Sequence, residues 1–291
     1  MSRFVALLSA GIASGAIYAL VALGFVLIYK ATGVINFAQG DLATLGAYFA
    51  YWAASTHGLA TGWAYVVAIG LMFFVGVALE RVTAAPLRNR SVHVVVIATL
   101  GAGLAIRAAI GIWQGSRPRN LRSPLGIRTF ELLGARIPMQ NVLIVGVTSV
   151  VVVALVVLFQ KTSFGRQLRA LATDNEAARL QGVMVTRMSL LTFGLAGALA
   201  GLGGVLFAPI ASVNLNLGFV AMLNGFAAAI LGGFGRIGGV VAGALMIGVV
   251  EQMAAGYVAY QFREVYPFAL MILVIALRPE GLFGSELRTR H

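Results

Sequence analysis

Nine apolar runs follow one another along the chain, at about Phe4–Tyr29, Ile35–Ala54, Trp63–Leu79, Val92–Ile112, Val142–Phe159, Met188–Phe207, Phe219–Phe234, Ile237–Met253 and Tyr266–Leu277. A soluble protein of this size could not keep so much apolar surface away from water. In a bilayer, about 20 apolar residues make one straight crossing. Several runs are shorter than that, so eight or nine membrane segments are expected, some of them tilted, short or broken. Charged residues are only 10% of the 291, against about 25% in soluble domains, and the mean hydropathy is +0.93. The chain reads as an all-α polytopic membrane protein, a single domain over residues 1–291. Its first run exceeds the roughly 7–15 apolar residues of a secretory signal and is taken as a retained helix.

The net charge is +12, but the basic residues fall in short clusters between apolar runs. These clusters are Arg81–Arg90, Arg117–Arg136, Lys161–Arg187, and Arg278 with Arg288 and Arg290. That is how a multi-span protein spaces its charge, and it argues against nucleic-acid binding. If Lys161–Arg187 is cytoplasmic, then Arg81, Arg88, Arg90, Arg236 and the C-terminal tail fall on the same side. One loop disobeys this order: Trp113–Met139 holds five arginines against Glu131 and falls outside. An acidic protein that approaches from that side would be steered by it.

The chain has no cysteine, which excludes disulfides, thiol chemistry and cysteine metal sites. His57, His93 and His291 show no ligand spacing, so no metal site is expected, and no catalytic dyad or hydrolase motif is present.

Two apolar segments are interrupted by glycine and amide side chains. GVINFAQGDLATLGAY (Gly33–Tyr48) carries Asn36, Phe37, Gln39, Gly40 and Asp41; Asn214–Gly239 carries Asn214, Asn216 and Asn224 among several glycines. Backbone leaves the helix at membrane depth only where protein or a water-filled cavity satisfies it. Paired broken segments in two halves of a chain point to a translocation path; polar loops flanking ordinary helices would read the same way. Asp41 either has a function or caps a helix beginning at Leu42. Arg107 and Glu251, near segment ends, could snorkel to water. Glycines four apart in GIASG, GALAG, GRIGG and GVVAG suit close helix packing.

The stretch RALATDNEAARLQGVMVTR (Arg169–Arg187) is a polar island between two apolar runs. Thr173 and Glu176 fit a capping box, Asp174 and Glu176 favour the helix dipole, and Gly182 is a natural stop. A two-turn helix over about Asp174–Gln181 follows, with Ala177 and Ala178 in its middle and Leu180 as its main apolar side chain. So short a helix is marginal alone and needs neighbours. It is either a docking element for another protein or a solvated connector.

EAARLQG (Glu176–Gly182) resembles the Glu-Ala-Ala…Gly loop of ABC-transporter permeases. Gly15–Tyr48 resembles the N-terminal signature of the branched-chain amino acid permeases of the LivH type, Asn224–Glu251 their C-terminal signature, and RPEGLFG (Arg278–Gly284) their terminal motif. The resemblance covers essentially the whole chain. It implies an ABC importer permease fold whose cytoplasmic coupling loop, residues 160–187, contacts an ATPase through Thr173, Asp174, Glu176, Ala177, Ala178, Leu180 and Gly182. It also implies two ATPase subunits, a second permease chain (LivM type or a copy of this one), an extracytoplasmic binding protein and an inner-membrane location. The translocation path would pass near Asn36, Phe37, Gln39, Gly40, Asp41 and Asn224. No GxxxxGK[ST] phosphate loop is present, so ATP and magnesium would sit on the partners and this chain would be no enzyme. The competing reading is an ion-coupled carrier or facilitated channel for a small polar solute. It would want more acidic residues facing one another than nine in total provide.

Overall fold

A computed structural model of the chain describes residues 1–88, 90–234, 236–278 and 281–282. Gly235 of GRIGG, most of RPEGLFG and the tail with Arg288, Arg290 and His291 lie outside the described residues.

Each of the nine apolar runs is a helix. They are α1 (Ser2–Thr32), α2 (Gln39–Ser55), α3 (Thr61–Leu79), α4 (Val92–Gln114), α5 (Met139–Lys161), α8 (Val185–Ala211), α9 (Leu217–Gly232), α10 (Ile237–Tyr257) and α11 (Val265–Leu277). Two short helices, α6 (Ser163–Thr173) and α7 (Asn175–Leu180), fill the polar island. A π-helical turn over Glu80–Ala84 extends α3. Among the described residues six helices are long and apolar enough to cross a membrane; α9 and α11 are shorter apolar helices.

The bundle is built around α1. Its most apolar window is 94% buried inside the chain, against 22% for α4 and for α5. It packs on α10, α8 and α9, so the protein forms its own environment around a segment that the sequence cannot distinguish from a lipid-facing span. The contact with α10 is made backbone to backbone. A Cβ placed on Gly15 would come within 2.8 Å of the Ala244 carbonyl oxygen, and one on Gly11 within 2.8 Å of the Val249 Cα. Lipid tails are as apolar as side chains, so helices in a membrane gain from close packing rather than from burial alone. The GIASG spacing is used for that purpose.

The first broken segment is a true break. Gly33, at φ 69°, ends α1 and its N–H reaches the Tyr29 carbonyl at 2.8 Å. Residues 33–38 then run without helix to Gln39. Gln39 donates to the Ala196 carbonyl (3.0 Å), and Ala38 lies against Gly103. Both contacts fall near the middle of long helices, so α2 starts in mid-bundle. Backbone at this depth needs partners. The Asn36 side chain accepts from Ala38 N–H (3.1 Å), and Thr99 on α4 accepts from Phe37 N–H (3.2 Å). The second break precedes α9: Asn214 accepts from Asn216 N–H (2.9 Å), and Thr44 on α2 accepts from Gly218 N–H (3.0 Å). The starts of α2 and α9 meet where Gly40 and Gly218 face each other, too close for a side chain on either.

The basic loop that the charge pattern places outside lies at the end of the bundle opposite α7. It contains an antiparallel hairpin, β1 (Thr129–Leu132) with β2 (Ala135–Pro138). Leu133 and Gly134, both at positive φ, make the two-residue turn that suits the twist of paired strands. Arg119 is bridged through its backbone to Val213 (2.8 Å each way), and its guanidinium lies 5.7 Å from the Tyr51 ring. The loop is therefore folded onto the α8–α9 connection.

A Gly248→Val change would force a side chain into the backbone of Gly11 and Gly15. Overpacking of that kind costs about 1–3 kcal/mol or more, and thermal unfolding in detergent should fall clearly. Gly238→Val, on the same helix with open space around it, should leave the midpoint unchanged.

Candidate functional site

The polar island is held as an outward-facing step. Asp174 caps α7, its Oδ1 accepting from Glu176 N–H (2.9 Å) and Ala177 N–H (3.0 Å). This corrects the sequence expectation by one residue: Thr173 is the last residue of α6, and its hydroxyl donates to the Arg169 carbonyl (3.0 Å) instead of capping. Asp174 can cap because its backbone is extended (φ −154°, ψ 112°), breaking the helix there. The helix is correspondingly shorter than expected, Asn175–Leu180. Gly182, at φ 84°, closes it: its N–H reaches Arg179 O (3.0 Å) while Val183 N–H reaches Ala178 O (3.0 Å), the paired bonds of a Schellman stop.

Ala178 is buried at 3% exposure and pins the helix to the bundle; Leu180 is 90% exposed. Glu176, Ala177 and Thr173 are exposed beside it. Underneath, a cavity of about 1040 Å³ opens toward the same end, lined in part by Arg81, Arg88, Arg90, Arg179, Arg187 and Glu176.

Beside this cavity lies a residue that the sequence reading passed over. Glu80 is fully buried and joins two spans. Arg88 donates to it, Ser189 of α8 donates at 2.8 Å, and Arg88 also reaches Thr186 (2.6 Å). The end of α3 is thus tied to the start of α8, the span directly after α7. The signal available in the sequence was a lone glutamate ending an apolar run, eight residues before an arginine.

The expected path residues are used differently from one another. Asn36, Gln39, Gly40, Asp41 and Asn224 are all buried within the chain, and among the six only Phe37 is partly exposed. Asp41 does not cap a helix at Leu42. It sits in the first turn of α2, where its Oδ1 takes a 2.8 Å hydrogen bond from Arg107 Nε. Arg107 therefore does not snorkel; Asp41 holds its head among the helices. Glu251 does not snorkel either. At 2% exposure it accepts from Tyr18 (2.7 Å), Asn224 (3.4 Å) and Arg263 (2.6 Å). Arg263 reaches in from the α10–α11 connection. Three buried acids, Asp41, Glu80 and Glu251, each have one arginine partner, which is how a low-dielectric interior tolerates charge. Among the described residues no group of three or more metal-ligating side chains comes together.

Residues 7–275 match the family described as branched-chain amino acid transport system / permease component. The chain is 32% identical to the high-affinity branched-chain amino acid transport system permease protein LivH of Escherichia coli (strain K12), over 94% of this chain and 93% of that one. It is 31% identical to the permease protein BraD of Pseudomonas aeruginosa, over 94% of each. A probable LivH of Methanocaldococcus jannaschii is 29% identical over 92% of this chain and 88% of its own. Among solved structures, PsaBC from Streptococcus pneumoniae in complex with Fab is similar at a TM-score of 0.48 and 13% identity, over 96% of this chain and 91% of that one.

If Asp174 is the cap, Asp174→Ala should weaken α7 by about 1 kcal/mol. Thr173→Ala should cost only a few tenths. Amide hydrogen exchange of residues 175–180 reads the difference, with faster exchange expected in the first variant alone.

Proposed function

The chain belongs to the permease components of branched-chain amino acid transport systems, and from that premise we propose that it forms half of the translocation path of an ATP-driven importer in the inner membrane. Its substrates are leucine, isoleucine, valine or closely related small amino acids. The observation that carries the reading is the step at α7: a helix tethered by Ala178 that offers an exposed Leu180 beside Glu176. ATP and magnesium are held by two ATPase subunits, each docked on one such step, with Thr173, Asp174, Glu176, Ala177, Ala178, Leu180 and Gly182 forming or shaping the contact. A second permease chain, of LivM type or a copy of this one, completes the path.

The coupling follows from how α7 is attached. It continues from α6, and α6 packs on α5, α1 and α8. A push on α7 is therefore delivered to the central helix of the bundle as well as to the two neighbouring spans. The Glu80–Arg88–Thr186 contacts carry the same displacement to α3. An ion-coupled carrier is disfavoured because the buried acids are already neutralised by arginines, leaving no acid pair among the described residues poised to exchange a proton.

At the opposite end, exposed Arg117, Arg122 and Arg128 offer a positive surface to an acidic extracytoplasmic binding protein. Arg119 is set apart from them, since it is half-buried over Tyr51 and fixed to Val213.

Leu180→Arg alters an exposed side chain and should leave folding intact. Purified in mild detergent, the variant should lose most of the co-purifying ATPase and at least tenfold of uptake; full retention of both would refute the docking role. Replacing Arg117, Arg122 and Arg128 together with glutamine should lower uptake at low salt and flatten its salt dependence, because screening acts on steering by exposed charges. Uptake measured between low and high ionic strength tests this.

A further inference from the structure

Arg107 is the one charged side chain that α4 carries inside its span, two turns below Gln114, or roughly 10 Å from that end at about 1.5 Å per residue. The side chain as a whole still reaches the surface of the chain: it is 28% exposed while its partner Asp41 is 9% exposed. Among the described residues it makes one hydrogen bond, from Nε to Asp41, which leaves both terminal nitrogens free. A lipid-facing guanidinium at this depth would be costly. The face that carries it must therefore meet water or a polar partner.

What surrounds Arg107 gives that face a chemistry. The Phe219 ring lies 5.6 Å from the guanidinium. From Phe219, the spacing i, i+4, i+7 continues along one side of α9 through Leu223 and Phe226; Phe219 is exposed, and Leu223 and Phe226 are partly buried against the core. Phe37, the partly exposed member of the first break, is 5.8 Å from Phe226. The outcome is an apolar stripe with a single cation at one end. The starts of α2 and α9, which meet at Gly40 and Gly218, add the partial positive charge of two helix N-termini nearby. Asp41 neutralises about one charge of this group, so a net positive field remains for an incoming anion.

Resting on the importer reading above, we propose that this face lines the path and that the terminal nitrogens of Arg107 receive the α-carboxylate of a passing amino acid, whose aliphatic side chain runs along Phe219, Leu223, Phe226 and Phe37. Two parallel N–H···O bonds from a guanidinium fit a carboxylate. Asp41 engages the guanidinium through Nε alone, which leaves the edge formed by the two terminal nitrogens for the carboxylate.

The native chain has no cysteine, so a single cysteine at Phe219 can be labelled without background while Asp41 and Arg107 stay in place. The complex is purified with its co-purifying subunits, placed in nanodiscs and treated with a sulfonated maleimide. Phe219→Cys should react at least tenfold faster than Val153→Cys, a cysteine on the outward face of α5. Leucine should slow that reaction several-fold and leucinamide should not. In the same preparations Arg107→Gln should keep its ATPase partners but lose at least tenfold of leucine uptake, with partial rescue by Arg107→Lys. An inert Phe219→Cys, as expected if lipid or a second permease chain seals this face, would overturn the proposal. Equal protection by leucinamide would overturn the carboxylate contact. Loss of the ATPases from the wild-type preparation would instead count against the importer reading, and the labelling result would still decide the face.

Discussion

The fold depends on helices that approach one another closer than side chains allow. In a bilayer, apolar surface gains little by leaving lipid for protein, so a helix buried inside a membrane protein must be held by close contact and by hydrogen bonds. α1 is held in this way, with Gly11 and Gly15 against α10. The same device fixes the starts of α2 and α9 through Gly40 and Gly218. Once those two starts are in contact, the chain has to leave the helix before each of them, and the amides of Asn36 and Asn214 and the hydroxyls of Thr44 and Thr99 serve the freed backbone. The polar residues of the two signature segments are, first of all, substitutes for helical hydrogen bonds.

The charged residues follow a second rule. Each buried acid reaches an arginine from another part of the chain: Asp41 joins α2 to α4, Glu80 joins the end of α3 to the loop before α4, and Glu251 joins α10 to the connection before α11. Removing one partner from such a pair strands the other charge at a cost of about 3–5 kcal/mol, so these pairs fix helix placement firmly. In all three the acid is the enclosed partner and the arginine the one that reaches the surface of the chain.

All nine apolar helices were legible in the sequence, because apolar runs of this length admit few alternatives. The stop at Gly182 and the existence of α7 were legible for local reasons, through glycine at positive φ and acidic residues in the first turn. The cap was misplaced by one residue because Thr173 and Asp174 are both good caps, and the choice depends on where α6 ends. The partners of Asp41, Glu80 and Glu251 were not legible, since each pair is set by packing between helices and no local pattern signals it. Glu251 and Tyr18, 2.7 Å apart, stand at opposite ends of the chain. The hairpin in the basic loop was hidden because its turn is Leu133-Gly134, with leucine in a position usually taken by asparagine or aspartate.

The central position of α1 also bears on how the protein is made. Among the long spans, α1 has the least surface for lipid, and the glycines of α10 that complete its packing are synthesised more than two hundred residues after it. Until then its small-residue face has only lipid or neighbouring proteins to contact. Assembly of the bundle must therefore wait for α10, and a product truncated before it would present an unpaired glycine seam to any other helix in the membrane. Quality control of this protein can be expected to act on that seam, because it is the surface that separates an unfinished chain from a finished one.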